Sequence, residues 1–286
     1  MNDILSDNLI KKFIPSRKIN SRKGDNGVVL VIGGSYIYHG APLLSSLAAI
    51  KAGADLVYTA VPKIIVDPIR SYSPNLIVIP LMDPKLTRGT VNKLLGSIPT
   101  NIDSVTIGMG SKIEDKIPLK ILIDKLLDRG IRLSLDASAL VADILPLLPN
   151  NNAVVTPHSG EFKRLFGLMP PLHLPDRISI VEKLADQNSV VILLKGSTDI
   201  ISNGVVTYIN QKQTPSMTVG GTGDILSGLV ATMLAKNTNP IEAASVAVYI
   251  NGRSGKLAQE KYGCHIVATD LIEMLPYIMK QYDVIN

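Results

Sequence analysis

Tryptophan is absent from this 286-residue chain, phenylalanine occurs three times, and aromatic residues make up only 4% of it. A surface that holds single-stranded nucleic acid needs aromatic stacking platforms beside clustered basic residues. Here lysine and arginine are scattered, so no nucleic-acid partner is expected despite a net charge of +5. A mild basic excess suits an anionic small molecule better. The single cysteine, Cys264, excludes an internal disulfide, and no Cys/His cluster has zinc spacing, which points to a reducing compartment. Nowhere does an apolar run approach the ~20 residues that a membrane helix needs. The opening segment MNDILSDNLIKKF is charged and lacks the features of a secretion signal, so a cytoplasmic protein without a membrane partner is expected. Two nucleotide motifs are also missing. Gly33, Gly34 and Gly40 have the wrong spacing for the dinucleotide fingerprint after the first strand, and there is no Walker-type G-x-x-x-x-G-K-[ST].

What is present is apolar and rhythmic. Hydrophobic residues reach 46%, enough for a substantial core. Short β-branched runs at 28–32, 56–60, 76–79, 105–107, 133–135, 154–155 and 190–194 read as buried strands. Between them lie segments with helical spacing, such as 42–51 closed by Gly53 and 119–128 closed by Gly130. Strands apolar on both faces, alternating with helices, predict a largely parallel sheet covered on both sides. The last third reads as helices over 225–234, 241–258 and 270–282. No linker, repeat or low-complexity tract interrupts the chain, so one α/β domain over 1–286 is expected. The segment from Pro170 to Pro175 reads as a rigid loop.

Unusual polar and glycine residues follow these strands: Gly33-Gly34-Ser35, Gly108-Met109-Gly110, Asp136, Thr156-Pro157-His158 and Lys195-Gly196. The carboxyl ends of parallel strands share one edge, where open α/β sheets bind ligands. Five segments are therefore predicted to converge on one rim.

The sharpest signal is Gly220-Gly221-Thr222-Gly223-Asp224, leading into a helical run from Ile225. Glycines at a helix N-terminus leave unpaired N–H groups and room for a phosphate to approach them. A carboxylate there would repel that phosphate unless it has another task. For Asp224 the fitting task is general base toward a hydroxyl that attacks a terminal phosphoryl group, although an ordinary capping Asp has the same appearance. His158 and Glu161 stand three apart at the next candidate, Thr156 to Glu161. Just after Thr-Pro on this rim, His158 reads as a ligand contact, although alone it could be a surface histidine. Glu161 could hold Mg2+ through water, or act as the acidic member of a capping box. Lys195 could serve nucleotide phosphates as a point charge, or be a solvated lysine at a hairpin turn. Asp136 could face the site or cap a helix.

In order, these motifs resemble the ADP/ATP-dependent NAD(P)H-hydrate dehydratases, a branch of the ribokinase-like superfamily. The likeness runs from about Lys23 to Ala258 and rests most specifically on Thr156-Pro157-His158 with Gly160-Glu161, combined with Gly221-Thr222-Gly223-Asp224. It implies a ribokinase-like three-layer sandwich that restores NADH or NADPH from the S epimer of its hydrate, using ADP or ATP with Mg2+. Carried over by position, Ala41, Gly108, Gly110 and His158 would contact the hydrated dinucleotide, with Asp224 as the base. Lys195, Gly196, Ser197, Thr198, Asp199, Gly221, Thr222 and Gly223 would hold the adenine nucleotide. The resemblance also implies a homo-oligomer, such as a tetramer, and a separate epimerase acting on the same metabolite. Two positions depart from the family pattern: Arg22 and Asn251 stand where histidine is common. A small-alcohol kinase of the same superfamily, such as a hydroxyethylthiazole kinase, would share the cradle and the base, and a non-catalytic nucleotide sensor would need only the cradle.

Overall fold

In the computed structural model, residues 2–148, 152–211 and 214–286 are described. Ten strands form one sheet, ordered β1-β10-β9-β8-β7-β6-β5-β2-β3-β4. They are β1 (Asn2–Ile4), β2 (Val28–Ile32), β3 (Leu56–Pro62), β4 (Ile77–Leu81), β5 (Ser104–Ile107), β6 (Arg132–Leu135), β7 (Ala153–Val155), β8 (Val191–Leu194), β9 (Asp199–Ser202) and β10 (Thr207–Asn210). All neighbours from β8 across to β4 pair in parallel, and β9 alone runs against the others.

The predicted strands therefore stand where expected, and the burial pattern explains why. Every residue of β2 is buried. Val28, Leu30 and Ile32 feed one core, while Val29 and Val31 feed the other. Both faces need covering, because alternate side chains of a strand point to opposite sides. One face carries α4 (Arg88–Ser97), α5 (Lys116–Leu127), α6 (Ser159–Phe166) and α7 (Leu174–Asn188). The other carries α1 (Asp7–Phe13), α2 (Gly40–Lys51), α3 (Val66–Tyr72), α8 (Thr222–Ala235), α9 (Pro240–Tyr262) and α10 (Ala268–Met279). The result is the three-layer arrangement.

The segment expected to be a rigid loop through Pro175 is a correction. Helix α7 already begins at Leu174, with Pro175 in its first turn. Proline is at home there, because its missing N–H would have had no helical partner.

The central packing element is α8, in which every residue from Ile225 to Ala235 is buried. It runs alongside α2 with almost no gap, since any Cβ at Gly228 would overlap the Ser45 backbone carbonyl. Beneath it, Ser104 donates to the Ala231 carbonyl at 2.6 Å and Thr106 bonds Ser227. From α2, Ser45 donates to the Asp224 carbonyl at 2.6 Å, and farther along Thr232 reaches the Ala49 carbonyl. The two helices thus lie parallel, with both N-termini at the carboxyl edge of the sheet. No helix among the described residues is long and apolar enough to cross a membrane.

Candidate active site

At the carboxyl edge the chain leaves β2 through Gly33-Gly34, β5 through Gly108-Met109-Gly110, β6 through Asp136, β7 through Thr156-Pro157-His158, and β8 through Lys195. All five strands are mutually parallel, so the predicted convergence on one rim holds. The N-terminus of α8 stands over the same rim. A Cβ on Gly223 would be 3.5 Å from the Lys195 ammonium.

Gly221 precedes α8 with φ of 98°, a left-handed conformation that glycine adopts without strain. No side chain among the described residues caps this helix, so its first N–H groups stand uncapped at the rim, at the positive end of the helix dipole. By contrast, α6 closes its own N-terminus. His158 Nδ1 accepts from the Gly160 and Glu161 N–H groups at 3.0 and 3.3 Å, and Glu161 returns a carboxylate to the His158 N–H at 2.9 Å. The capping box is therefore real. With Nδ1 accepting, the His158 side chain stays 60% exposed, and its Nε2 lies 3.4 Å from the Glu161 carboxylate.

Lys195 is the electrostatic hub. Its ammonium lies 2.9 Å from Asp136 and 3.6 Å from Glu161, and Thr156 adds a 2.8 Å hydrogen bond to the same Asp136 oxygen. Burial alone would lower the pKa of Lys195, but the two carboxylates hold it above the ordinary lysine value. The lysine does sit in a hairpin turn between antiparallel β8 and β9, yet its side chain is only 19% exposed, not solvated. Asp136 faces this lysine and makes no capping bond.

Asp224 completes the group. Burial pushes its carboxyl up to about 7, the Asp136 charge adds to the rise, Lys195 opposes it, and Glu161 contributes a further increase. A carboxyl poised near neutrality, with no hydrogen bond to its oxygens among the described residues, suits general base catalysis.

Ala41 is the second residue of α2, one turn before Ser45, and its Cβ lies 2.9 Å from the position that a Cβ on Gly110 would take. Gly108 is fixed beneath them, its carbonyl accepting from Ser138 at 2.7 Å. Ser197 is exposed and Thr198 half-buried in the β8–β9 turn. Asp199 is fully buried, with its carboxylate accepting from the Gly196 N–H at 3.0 Å and from Asn210 at 2.9 Å. It shapes the turn from inside. Arg177 of α7, which no sequence motif marked, braces the same turn through Ser159 at 3.2 Å and the Lys195 carbonyl at 3.5 Å. Asn251, one of the departures, is buried in α9 and donates to the Thr222 carbonyl at 3.3 Å. Among the described residues no three His, Cys, Asp or Glu side chains form a direct metal cage.

A family model described as NAD(P)H-hydrate dehydratase matches residues 29–277. The chain belongs to that family. The dehydratase is 61% identical over 279 residues to the ADP-dependent (S)-NAD(P)H-hydrate dehydratase of Nitrosopumilus maritimus, covering 98% of this chain and 97% of the relative. Among solved structures, a ribokinase-like superfamily protein of Enterococcus faecalis is 26% identical with a TM-score of 0.80, covering 98% and 96% of the two chains. The ADP/ATP-dependent NAD(P)H-hydrate dehydratase of Bacillus subtilis, co-crystallised with ATP and Mg2+, aligns with a TM-score of 0.84 over 99% of both chains at 24% identity. The dehydratase thus has the ribokinase-like fold expected from its motifs.

Proposed function

We propose that this dehydratase removes water from the S epimer of hydrated NADH and NADPH, coupled to ADP or ATP, and returns the intact cofactor with inorganic phosphate and AMP or ADP. The observation that carries the reading is a carboxyl group, Asp224, poised near pH 7 in the first turn of a helix whose N–H groups are uncapped. Asp224 takes the proton from the ring hydroxyl as its oxygen attacks the terminal phosphoryl group. The bare N–H groups of α8 steady the negative charge that shifts during the transfer. Phosphate then leaves with the ring C–O bonding pair as the ring C=C bond returns, and the ring loses the proton that balances it.

Ala41, Gly108, Gly110 and His158 contact the dinucleotide in this reading. Lys195, Gly196, Ser197, Thr198 and Gly221 to Gly223 surround the nucleotide, with Asp199 shaping that loop. Mg2+ would bring charge neutralisation to the phosphates. That cation keeps most of its waters and needs few protein carboxylates, and Glu161 would reach it through water. ADP is the favoured donor, since the 61% identical relative is named for ADP. The chain would act as one domain in the cytoplasm, as a homo-oligomer such as a tetramer, with a separate epimerase converting the other epimer.

The test is purified protein with hydrated NADH, Mg2+ and each nucleotide in turn. Recovery of NADH absorbance with equimolar phosphate, fastest with ADP, is expected. A stable phosphate ester without recovered NADH would overturn the reading in favour of a kinase.

A further inference from the structure

The chain holds only 9 tyrosines and 3 phenylalanines, so the positions of two tyrosines within three residues carry information. Tyr36, Ile37 and Tyr38 lie in the loop between β2 and α2 and are 74%, 75% and 64% exposed. Exposing three large apolar side chains in a row is unfavourable for a loop with no ligand, because each forgoes burial. The loop is nevertheless built and anchored. The Tyr38 N–H donates to Ser35 Oγ at 3.3 Å. A Cβ on Gly110 would stand 2.7 Å from the Tyr38 carbonyl oxygen and 2.9 Å from the Tyr38 Cβ. The Tyr38 backbone and Cβ therefore pack on the Ala41–Gly110 contact, while the residue stays largely exposed.

The chemistry of the rest of the rim shows what is missing. Glycine N–H groups, Lys195 and the three carboxylates handle charge and protons, and the one flat ring among them, the His158 imidazole, is small, polar and tied to the α6 N-terminus. A dinucleotide carries a planar purine, and stacking on an aromatic side chain is how proteins hold such a ring without a hydrogen-bond code. The hydrated nicotinamide ring contains tetrahedral carbon and stacks less well, so the adenine half is the fitting occupant.

We infer that Tyr36 and Tyr38 form an aromatic clamp on the adenine ring of the hydrated dinucleotide, so that affinity for this substrate comes from the β2–α2 loop, separately from the nucleotide that supplies phosphate. The inference rests on the dehydratase reading and adds the residues that select a dinucleotide over smaller hydroxylated compounds. The clamp acts in binding, and the proton and phosphoryl steps proceed without it.

The experiment compares wild type, Tyr36→Ala/Tyr38→Ala, Tyr36→Phe/Tyr38→Phe and the distant exposed control Tyr277→Ala, with KM measured for hydrated NADH and for ADP. The alanine pair should raise KM for hydrated NADH by about 10-fold or more, with kcat within about threefold and KM for ADP unchanged. The phenylalanine pair should keep the wild-type KM, because the ring and not the hydroxyl is used, and Tyr277→Ala should match wild type. Sedimentation of each variant accompanies the kinetics. An unchanged KM for hydrated NADH overturns the clamp, as does a rise in KM for ADP instead. A change in subunit number that accounts for the KM effect also overturns it, since the loop would then seat a second copy of the chain. If wild type itself fails to turn over hydrated NADH, the dehydratase reading falls first, and binding of NADH to wild type and the alanine pair by calorimetry still tests the clamp. Equal affinity would refute it.

Discussion

In the proposed mechanism the chemistry depends on Asp224, and its environment makes two separable demands. As a base it must be ionised, so kcat/KM should fall about tenfold per pH unit below about 7. Asp224→Asn should lose turnover at least ~100-fold while nucleotide affinity, measured by calorimetry, changes little. The same substitution should stabilise the protein. A carboxyl whose folded pKa lies above its unfolded value loses stability as pH rises from about 4 to 7, because the unfolded chain ionises first. The variant should therefore exceed wild type by roughly 1–3 kcal/mol in urea unfolding at pH 8, and the difference should vanish near pH 4. Lys195 acts in the opposite direction. Lys195→Met leaves Asp136 and Glu161 without their cation, which should cost about 3 kcal/mol. It should also move the acidic limb of the pH–rate profile upward, since the lysine currently holds Asp224 down. An unmoved limb would show that the lysine does not govern the base.

At the scale of elements, what could be read in the chain followed from periodicity and bare glycine. Strands such as β2, apolar on both faces, and the entry to α8 through Gly221 were both visible, because each is a local pattern with one physical cause. The pairing of Lys195 with Asp136 was not, since 59 residues separate the partners and either side chain alone fits a surface role. Nor was the start of α7, where proline signals a loop and a helix N-terminus equally well. β1 is three residues long and is held by parallel pairing with β10, some 200 residues away, so no local signal marks it. Asp199 was grouped with its loop neighbours, and only the fold shows it turned inward. The α2–α8 contact offers a test at this scale. Gly228→Ala would force the two helices apart at the Ser45 carbonyl, at a cost of about 2–3 kcal/mol and several degrees of Tm. Because Ser45 also bonds the Asp224 carbonyl, turnover should fall in the fraction that remains folded.

Across the whole molecule, α8 joins the rim at the carboxyl edge to the opposite edge of the sheet, where Lys236 ends the helix and donates to the Ala52 carbonyl at 3.0 Å. Burial and, to a smaller extent, Arg17 pull its pKa down to about 8, against the charges of Asp283 and Asp55. Between about pH 8 and 10.5 the unfolded chain keeps the proton that the folded protein has released, so this group adds stability as pH rises. Comparing urea midpoints at pH 7 and 9.5 should show that gain in wild type and its loss in Lys236→Met. The shared burial of α8 has a further consequence. A helix enclosed on every side from Ile225 onward exchanges its amide protons only when the surrounding layers come apart. In deuterium, the segment just behind Asp224 should be among the last to take up label, while the exposed Tyr36 and Ile37 of the β2–α2 loop exchange early. Partial melting therefore cannot switch this enzyme off at α8, and heat would inactivate it at that helix only by dismantling the core around it.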